Sequence, residues 1–383
     1  MSLELTKAVF CSLFLLSTVV SCNRQEPVAI DLSSQPELQT GADLLFDEPY
    51  YSWIKNKGIG LITNQTGVNS ELEGLPALLS GRDEINLVAL FGPEHGIYGE
   101  AQAGEIVTGE SNIYSLYGSN RAPTPEMLER VEVLVYDIQD VGSRFYTFIS
   151  TMYECMKSVS GTDIRFIVLD RPNPIGGIKV EGPVLEEGFE SFVGIHTIPN
   201  RYGMTAGEMA MLLKEETGLD LDLKVVPVKG WSRDQDFSDY GKDWINPSPN
   251  MPNFKAALSY PGFCLVEGTN ISEGRGTTRP FELFGAPWIN PLALAEKLNV
   301  LNLPGVKFRP QMFTPTFSKY KDEACNGVQI HITDRNSFQP VNAALYFIMT
   351  VAQMYPDEFS FRESSFDRLC GNSWIRTMLE EGA

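Results

Sequence analysis

Charged and polar side chains gather in four short loops, each placed where a buried strand is predicted to end. All four are rich in glycine or proline, and they cover residues 62–67, 90–96, 135–144 and 168–174. In an open parallel α/β sheet, ligands bind in the crevice outside the carboxyl ends of the strands. We therefore expect the loops to form one composite site. Its carboxylates and arginines favour an enzyme that acts on a polar, sugar-like substrate.

Glu94 is the strongest candidate for acid catalysis. It stands between Pro93 and His95 in a loop bounded by glycines. A partly desolvated carboxyl in such a loop can act as a general acid. The alternative is a carboxylate that caps a neighbouring helix or pairs with an arginine. His95 either binds substrate or satisfies the backbone of the loop.

The next loop carries Asp137 and Asp140, followed by Arg144 and Tyr146. An aspartate beside an arginine stays ionised, so this loop is predicted to supply the second catalytic carboxylate. The alternative is an Asp–Arg pair that only fixes the loop. Tyr146 either hydrogen-bonds a sugar or belongs to the core. In the loop that follows, Arg171 is predicted to be paired internally within a rigid turn.

The segment 267–280 places two carboxylates, two arginines and three glycines close together. Arginine forks suit planar carboxylate groups on a ligand. A glycine-rich surface loop with solvated charges is the alternative. The predicted catalytic residues of the whole site are Glu94, Asp140 and Glu273. The predicted substrate-binding residues are Asn64, His95, Asp137, Arg144, Tyr146, Glu267, Asn270, Arg275 and Arg279.

Several function classes are disfavoured. The sequence lacks a G-x-x-x-x-G-K-[ST] phosphate loop, a G-x-G-x-x-G turn after a strand and a G-x-S-x-G elbow. Its three histidines lack metal-ligand spacing. The net charge of −19 argues against nucleic acid and against broad attachment to anionic membranes. We therefore expect neither a cofactor nor a metal.

Apolar runs of strand length alternate with helical patterns in the first part of the chain. Nearly continuous Val, Ile and Leu runs are typical of strands covered on both faces, and they predict strands at 58–63, 85–91, 131–137, 164–170 and 221–228. Helices are predicted at 144–158 and from the capping box at Thr205 to Leu213. This alternation predicts parallel βαβ units, and thus an α/β domain over residues 41–230.

The composition and periodicity of the sequence change after residue 230. Residues 231–288 are rich in Pro, Gly, Asn and aromatics and show little periodicity. A helix is predicted from Asn290, strands near 305–313 and 327–333, and a helix at 340–354. We predict a smaller α+β domain over 231–383, whose first segment folds over the crevice.

The N-terminus has the pattern of a targeting segment. Lys7 precedes an apolar run that ends at Val20, and Ser21-Cys22 fits a bacterial lipoprotein cleavage box. An ordinary secretory signal or a short anchor is the alternative. We predict a signal peptide at 1–22, a tether at 23–40 and export to the cell envelope. Membrane attachment is then expected only through lipid on Cys22.

Four cysteines lie beyond the predicted signal and lipidation site: Cys155, Cys264, Cys325 and Cys370. They are far apart in sequence and show no C-x-x-C spacing. Export permits a disulfide, but we favour four buried free thiols.

From about residue 43 to its C-terminus, the chain resembles a bacterial family of exo-acting β-N-acetylmuramidases of peptidoglycan recycling, formerly a domain of unknown function. The motifs that carry the resemblance are residues 60–67, 91–96, 137–147, 250–252 and 267–280. The resemblance implies a Rossmann-like N-terminal domain, a smaller C-terminal domain and an active site between them. It places the family's catalytic glutamate on Glu94. Family members usually continue beyond residue 383, so a shortened C-terminus is expected.

The implied reaction releases N-acetylmuramic acid from the non-reducing end of peptidoglycan fragments. Glycoside hydrolysis usually needs two carboxyl groups, one of them protonated, and the lactyl carboxylate of this sugar calls for an arginine. Arg275 is the preferred partner, before Arg144. The alternatives are a muropeptide- or sugar-binding lipoprotein without catalysis, and an amide or ester hydrolase acting on the same polymer.

Overall fold

A computed structural model describes residues 37–99, 102, 112–118 and 120–382. Residues 37–383 form one compact unit. The predicted signal peptide, Cys22 and most of the tether lie outside the described residues. Within the described part of the chain, no helix is both long and apolar enough to cross a membrane.

The strands, in chain order, are β1 (Gly58–Thr63), β2 (Asn86–Gly92), β3 (Ile113–Ser115), β4 (Val133–Asp137), β5 (Arg165–Leu169), β6 (Glu181–Val184), β7 (Pro199–Arg201), β8 (Leu223–Val226), β9 (Leu283–Ala286), β10 (Val306–Phe313) and β11 (Cys325–Ile332). The α-helices are α1 (Gly41–Leu44), α2 (Tyr51–Ile54), α3 (Leu75–Ser80), α4 (Pro125–Leu128), α5 (Phe148–Val159), α6 (Ala206–Thr217), α7 (Phe254–Phe263), α8 (Pro291–Val300), α9 (Pro340–Met354), α10 (Glu363–Cys370) and α11 (Trp374–Glu381). Short 3₁₀ helices cover Phe237–Asp239 and Cys264–Gly268.

The main sheet has six parallel strands in the order β3-β2-β1-β4-β5-β8. This is a Rossmann-like order, in which the direction of strand addition reverses between β1 and β4. The carboxyl ends of β1, β2, β4 and β5 are therefore neighbours, and the four polar loops follow them. The α/β fold class predicted from the sequence is confirmed.

Both faces of the main sheet are buried. Ile59 and Leu61 of β1 belong to one hydrophobic cluster, whereas Ile62 belongs to the other, larger cluster. The alternation follows from the pleat, which turns successive side chains to opposite faces. Helices α1 and α3 contact the sheet strands, as do α5 and α6. The strands have continuous apolar sequences because both faces of the sheet are buried.

The remainder contains an antiparallel sheet in the order β10-β11-β9, with helices α7, α8 and α9. Helix α9 has the bounds predicted for it. Helix α7 and strand β9 lie within residues 231–288, although the sequence shows little periodicity there. Helix α7 contains Pro261, and proline next to glycine reads as a turn in the sequence.

The larger hydrophobic cluster runs from β1 through α5 and α7 to α11, so both parts of the chain contribute to it. The boundary at residue 230 stays a prediction. Cys155, Cys264, Cys325 and Cys370 are all buried and free, which confirms the preference for buried thiols over a disulfide.

Candidate active site

Glu94 lies just beyond the carboxyl end of β2, in a turn closed by a hydrogen bond of 3.0 Å from the Gly96 N–H to the Pro93 carbonyl oxygen. The side chain is 9% exposed. Its Oε2 accepts a hydrogen bond of 2.7 Å from Thr147 Oγ1. Tyr117 also hydrogen-bonds this carboxylate, and burial together with the charge of Glu94 raises the pKa of Tyr117 to about 12. Two hydroxyl groups thus hold a nearly buried carboxylate at the sheet edge.

The backbone of His95 has a left-handed conformation, with φ of +76°. This region is uncommon for residues other than glycine, and such strain concentrates at functional sites. Here it lets the chain reverse directly after β2, which keeps Glu94 at the crevice. His95 is itself buried, and its role in binding stays a prediction.

Asp140, in the loop after β4, is a buried carboxylate with an incomplete set of partners. Its Oδ2 accepts hydrogen bonds from the Gly142 N–H at 2.7 Å and from the Tyr202 hydroxyl. Its Oδ1 has no hydrogen-bond partner among the described residues. Burial raises the pKa of Asp140 to about 6, although the hydrogen bonds from Tyr202 and Gly142 oppose the shift. This carboxyl can therefore change protonation near neutral pH.

Gly142 is required for this geometry. Its φ is +77°, and a Cβ there would lie 2.4 Å from Asn173 Oδ1. Only glycine fits both the backbone conformation and the contact. The G-S-R triplet of the loop thus begins with a residue that aims a backbone N–H at Asp140.

The structure corrects the prediction that Asp137 binds substrate. Asp137 is fully buried, and its Oδ1 lies 2.6 Å from Nε of Arg171. Arg171 also donates to the Val68 carbonyl oxygen at 2.8 Å. The internal pairing predicted for Arg171 is present. The pair ties the loops after β1, β4 and β5 together beneath the crevice.

Arg144 is also corrected, because it is not paired with Asp140 and does not face a ligand cavity. It is 0% exposed. Its guanidinium donates to four backbone carbonyl oxygens at 2.8–2.9 Å, those of Pro183, Ile198, Leu369 and Cys370. Arg144 therefore holds α10 and β6 against the loop after β4. It is a structural residue.

Tyr146 marks the point where the separate loops meet. Burial raises the pKa of its hydroxyl, the charges of Asp140 and Glu94 raise it further, and the charge of Arg275 opposes them. Three charged groups from three different segments thus lie within electrostatic range of one hydroxyl. The roles predicted for Glu94, Asp140 and Arg275 in one composite site stay predictions.

A cavity of about 580 Å³ opens beside this point and is lined by Glu267, Glu273, Arg275 and Lys319, among others. Arg275 Nη2 lies 2.7 Å from Glu267 Oε1, and Arg275 Nε lies 3.5 Å from Glu273 Oε1. Lys319 Nζ lies 3.0 Å from Glu273 Oε2. Glu273 is 2% exposed. It therefore bridges two cations in the cavity wall.

Asn64, at the end of β1, helps to link the loop after β1 to the loop after β4. Its Oδ1 accepts from the Thr66 N–H at 2.9 Å, and Thr66 Oγ1 accepts from the Gln139 N–H at 2.9 Å. The Asn64 Nδ2 group is buried and has no hydrogen-bond partner among the described residues.

Two predicted binding residues lie elsewhere. Asn270 uses its side chain to hold the chain near residue 360, with Nδ2 donating to the Glu358 carbonyl oxygen at 2.7 Å and Oδ1 accepting from the Ser360 N–H at 3.0 Å. Arg279 pairs with Glu282 at 3.2 Å and is half-exposed. It lines grooves other than the cavity described above. Both assignments are corrected to local structural contacts.

Some residues of the site escaped the sequence analysis: Tyr117, Thr147, Tyr202, Lys319, Arg362 and Arg368. The last two lie at the start of α10 and within it, and they line the cavity. The spacing of Phe366, Leu369 and Cys370 is a signal that could have revealed an amphipathic helix there. Lys319 and Tyr202 follow no recognisable pattern and depend on tertiary structure.

The arrangement suits hydrolysis of a glycosidic bond. Two nearly buried carboxyl groups lie at one edge of the sheet, and one of them has a pKa near 6. Arg275, whose charge acts on the same Tyr146 hydroxyl as these two carboxyl groups, lines a cavity of about 580 Å³, the size of a small-molecule site. Within the described residues, no group of three His, Cys, Asp or Glu side chains is arranged to hold a metal ion.

Comparisons with known proteins show what this chain is similar to. Residues 59–255 match the family described as "Exo-beta-N-acetylmuramidase NamZ, N-terminal", and residues 258–383 match its C-terminal counterpart. The "Peptidoglycan beta-N-acetylmuramidase NamZ" of Bacillus subtilis (strain 168) is 48% identical, over 98% of this chain and 92% of that protein.

Two crystal structures of DUF1343 family proteins from Bacteroides fragilis NCTC 9343 are also similar. One is 41% identical with a TM-score of 0.84, and the other is 30% identical with a TM-score of 0.72. Each similarity covers 91% of this chain and 92% of the other.

Proposed function

Because this chain belongs to the exo-β-N-acetylmuramidase NamZ family, we propose that its cleft releases N-acetylmuramic acid from the non-reducing ends of peptidoglycan fragments. The protein is a glycoside hydrolase. The observation that carries the proposal is the placement of two buried carboxyl groups, Glu94 and Asp140, just beyond the carboxyl ends of β2 and β4.

Glu94 is the general acid. Its carboxyl group lies at the sheet edge, nearly buried and held by the Thr147 hydroxyl. A buried carboxyl in a fixed position can deliver its proton to the glycosidic oxygen as the bond breaks. A protein that only bound sugars would not need an ionisable group there.

Asp140 is the partner carboxylate. Glycosidases usually use the second carboxylate either to activate water or to attack the sugar. Asp140 has one oxygen fixed by Gly142 and Tyr202 and one oxygen without a partner among the described residues. This second oxygen is buried as well, and in the proposed reaction it accepts a proton from water or attacks the anomeric carbon. Glu273 is less suited to this role, since Arg275 and Lys319 both pair with it.

We also propose that the protein is an exported lipoprotein. The support is the sequence pattern alone, with an apolar run before Ser21-Cys22. Lipid on Cys22 would hold the enzyme at the cell envelope, where peptidoglycan lies. Cys22→Ala should move the protein from the membrane fraction to the soluble fraction. Retention of the variant in the membrane fraction would contradict lipidation at this position.

Product analysis tests the proposed function. Purified protein is incubated with a disaccharide in which N-acetylmuramic acid is β-linked to N-acetylglucosamine, and with longer fragments that begin with muramic acid. Free N-acetylmuramic acid should appear from both substrates, and each longer fragment should become shorter by that one sugar at its non-reducing end. Binding of the fragments without any release of sugar would support the non-catalytic alternative. Release of larger internal pieces would contradict exo action.

A further inference from the structure

The cavity beside the catalytic carboxylates carries more positive than negative charge. Its ionisable lining residues are four cations, Arg275, Lys319, Arg362 and Arg368, and two anions, Glu267 and Glu273. The whole protein, by contrast, has a net charge of −19. A local excess of cations in an acidic protein indicates a ligand with negative charge.

The two anions in the wall are already matched. Arg275 pairs with Glu267 at 2.7 Å, and Lys319 pairs with Glu273 at 3.0 Å. Lys319 also donates to the Ile271 carbonyl oxygen at 2.8 Å. These two cations are thus committed to the protein. The prediction that Arg275 binds the substrate carboxylate is therefore revised.

Arg362 and Arg368 are exposed where they line the cavity. Neither forms an ion pair within the described residues. The hydrogen bond observed for Arg368 is a local one, from Nη2 to Ser364 Oγ at 3.0 Å. Both guanidinium groups thus keep most of their donors for a ligand.

Helix α10 presents these groups from one face and is fixed at both ends. Ser365 and Leu369, spaced four residues apart, line the cavity together with the two arginines. At the start of the helix, the Arg362 N–H donates to the Gly268 carbonyl oxygen at 2.8 Å. At its end, Arg144 binds the carbonyl oxygens of Leu369 and Cys370. The arginines are therefore presented by a fixed helix.

We propose that Arg362 and Arg368 bind a carboxylate of the substrate and thereby determine the substrate selectivity of the enzyme. This inference rests on the proposed function. The carboxylate comes either from the lactyl group of N-acetylmuramic acid or from a peptide stem attached to that group. Planar guanidinium groups match carboxylates with two parallel hydrogen bonds, and a substrate without the anion forgoes that charge-assisted interaction.

Three substrates separate the two sources of the carboxylate: a chromogenic β-glycoside of N-acetylmuramic acid, its lactyl methylamide, and the same glycoside carrying a stem peptide. The value of kcat/KM is measured for the parent, Arg362→Met, Arg368→Met and the double variant. Arg130→Met is the control, because Arg130 is exposed and lies next to the amino end of β4. Melting temperatures establish that all variants are folded.

The parent should prefer an anionic substrate over the methylamide, and the Met variants should lose that preference by about tenfold or more. If the Met variants lose kcat/KM for the glycoside with a free lactyl carboxylate, that carboxylate is the ligand. If they lose kcat/KM only for the glycoside that carries the stem peptide, the ligand is a carboxylate of the peptide. Arg→Lys variants should restore part of the preference. If the parent turns over all three substrates and the Met variants leave their ratios unchanged, the inference is overturned while the proposed function stands. If the parent turns over none of them, the proposed function itself fails.

Discussion

At the scale of single residues, the structure gives the two aspartates of the loop after β4 different surroundings. Asp137 ends β4 and is paired with Arg171, from the loop after β5, at 2.6 Å. Asp140, three residues later, has no cationic partner among the described residues, and burial raises its pKa to about 6. Sequence spacing places both residues at the crevice. The direction of each side chain depends on the loop, which spacing does not define.

Asp140→Asn tests whether this burial serves catalysis. The amide keeps the acceptor for Gly142 and Tyr202 but cannot act as a base or nucleophile. We expect kcat to fall by at least about a hundredfold. The melting temperature above pH 6 should stay equal or rise, since the variant no longer buries a charge. A variant with unchanged kcat, or one that loses activity only because it unfolds, would contradict the role of Asp140.

The pH dependence follows from the raised pKa. If Asp140 acts in its ionised form, kcat/KM of the parent should fall as the pH drops through about 6. The stability of the protein, by contrast, should rise as the pH drops over this range. Between about pH 4 and 6, the folded state keeps a proton that the unfolded state has lost, so the unfolding free energy decreases as the pH rises. The Asn variant should show a smaller decrease when both proteins are unfolded over this range.

At the scale of elements, α10 is the part that joins the two halves of the site. Arg144, in the loop after β4, binds two carbonyl oxygens at its end. Gly268 allows the preceding 3₁₀ helix to approach it, since a Cβ on Gly268 would lie 2.5 Å from Phe366 Cα. The substrate-facing arginines of α10 are thus positioned from the catalytic loop.

Arg144→Met should therefore destabilise the protein. The substitution removes a buried guanidinium and leaves four carbonyl oxygens without their donor, which should cost about 3 kcal/mol or more. The denaturation midpoint should fall, and amide hydrogens of α10 should exchange faster. Arg130→Met provides the matched control. Unchanged stability and unchanged exchange in α10 would show that the carbonyl contacts are dispensable.

At the scale of the whole molecule, much of the parallel sheet could be predicted from the sequence. Continuous apolar runs predict strands buried on both faces, and β1 and α9 have the predicted bounds. Shorter elements were missed. Strands β6 and β7 have three or four residues and polar compositions, so they lack a periodic signal.

Part of the candidate site was predictable from the sequence, because the buried strands that precede it were predictable. Glu94 and Asp140 follow long buried strands, so strand ends locate them. Arg362 and Arg368 reach the cavity only because α10 packs across the chain onto the 264–268 helix. Long-range packing of this kind leaves no mark in local sequence.

The effect of Glu94→Gln on turnover tests the general-acid role of Glu94 most directly. The amide keeps the shape of the side chain and its contact with Thr147 but cannot donate the proton. With a chromogenic β-glycoside of N-acetylmuramic acid that has a poor leaving group, kcat should fall by about 10² to 10⁴. Binding of N-acetylmuramic acid and the melting temperature should stay close to those of the parent. Glu129→Gln, an exposed glutamate following α4, should leave kcat unchanged. Activity of Glu94→Gln within a few-fold of the parent would contradict the assignment of Glu94 as the general acid.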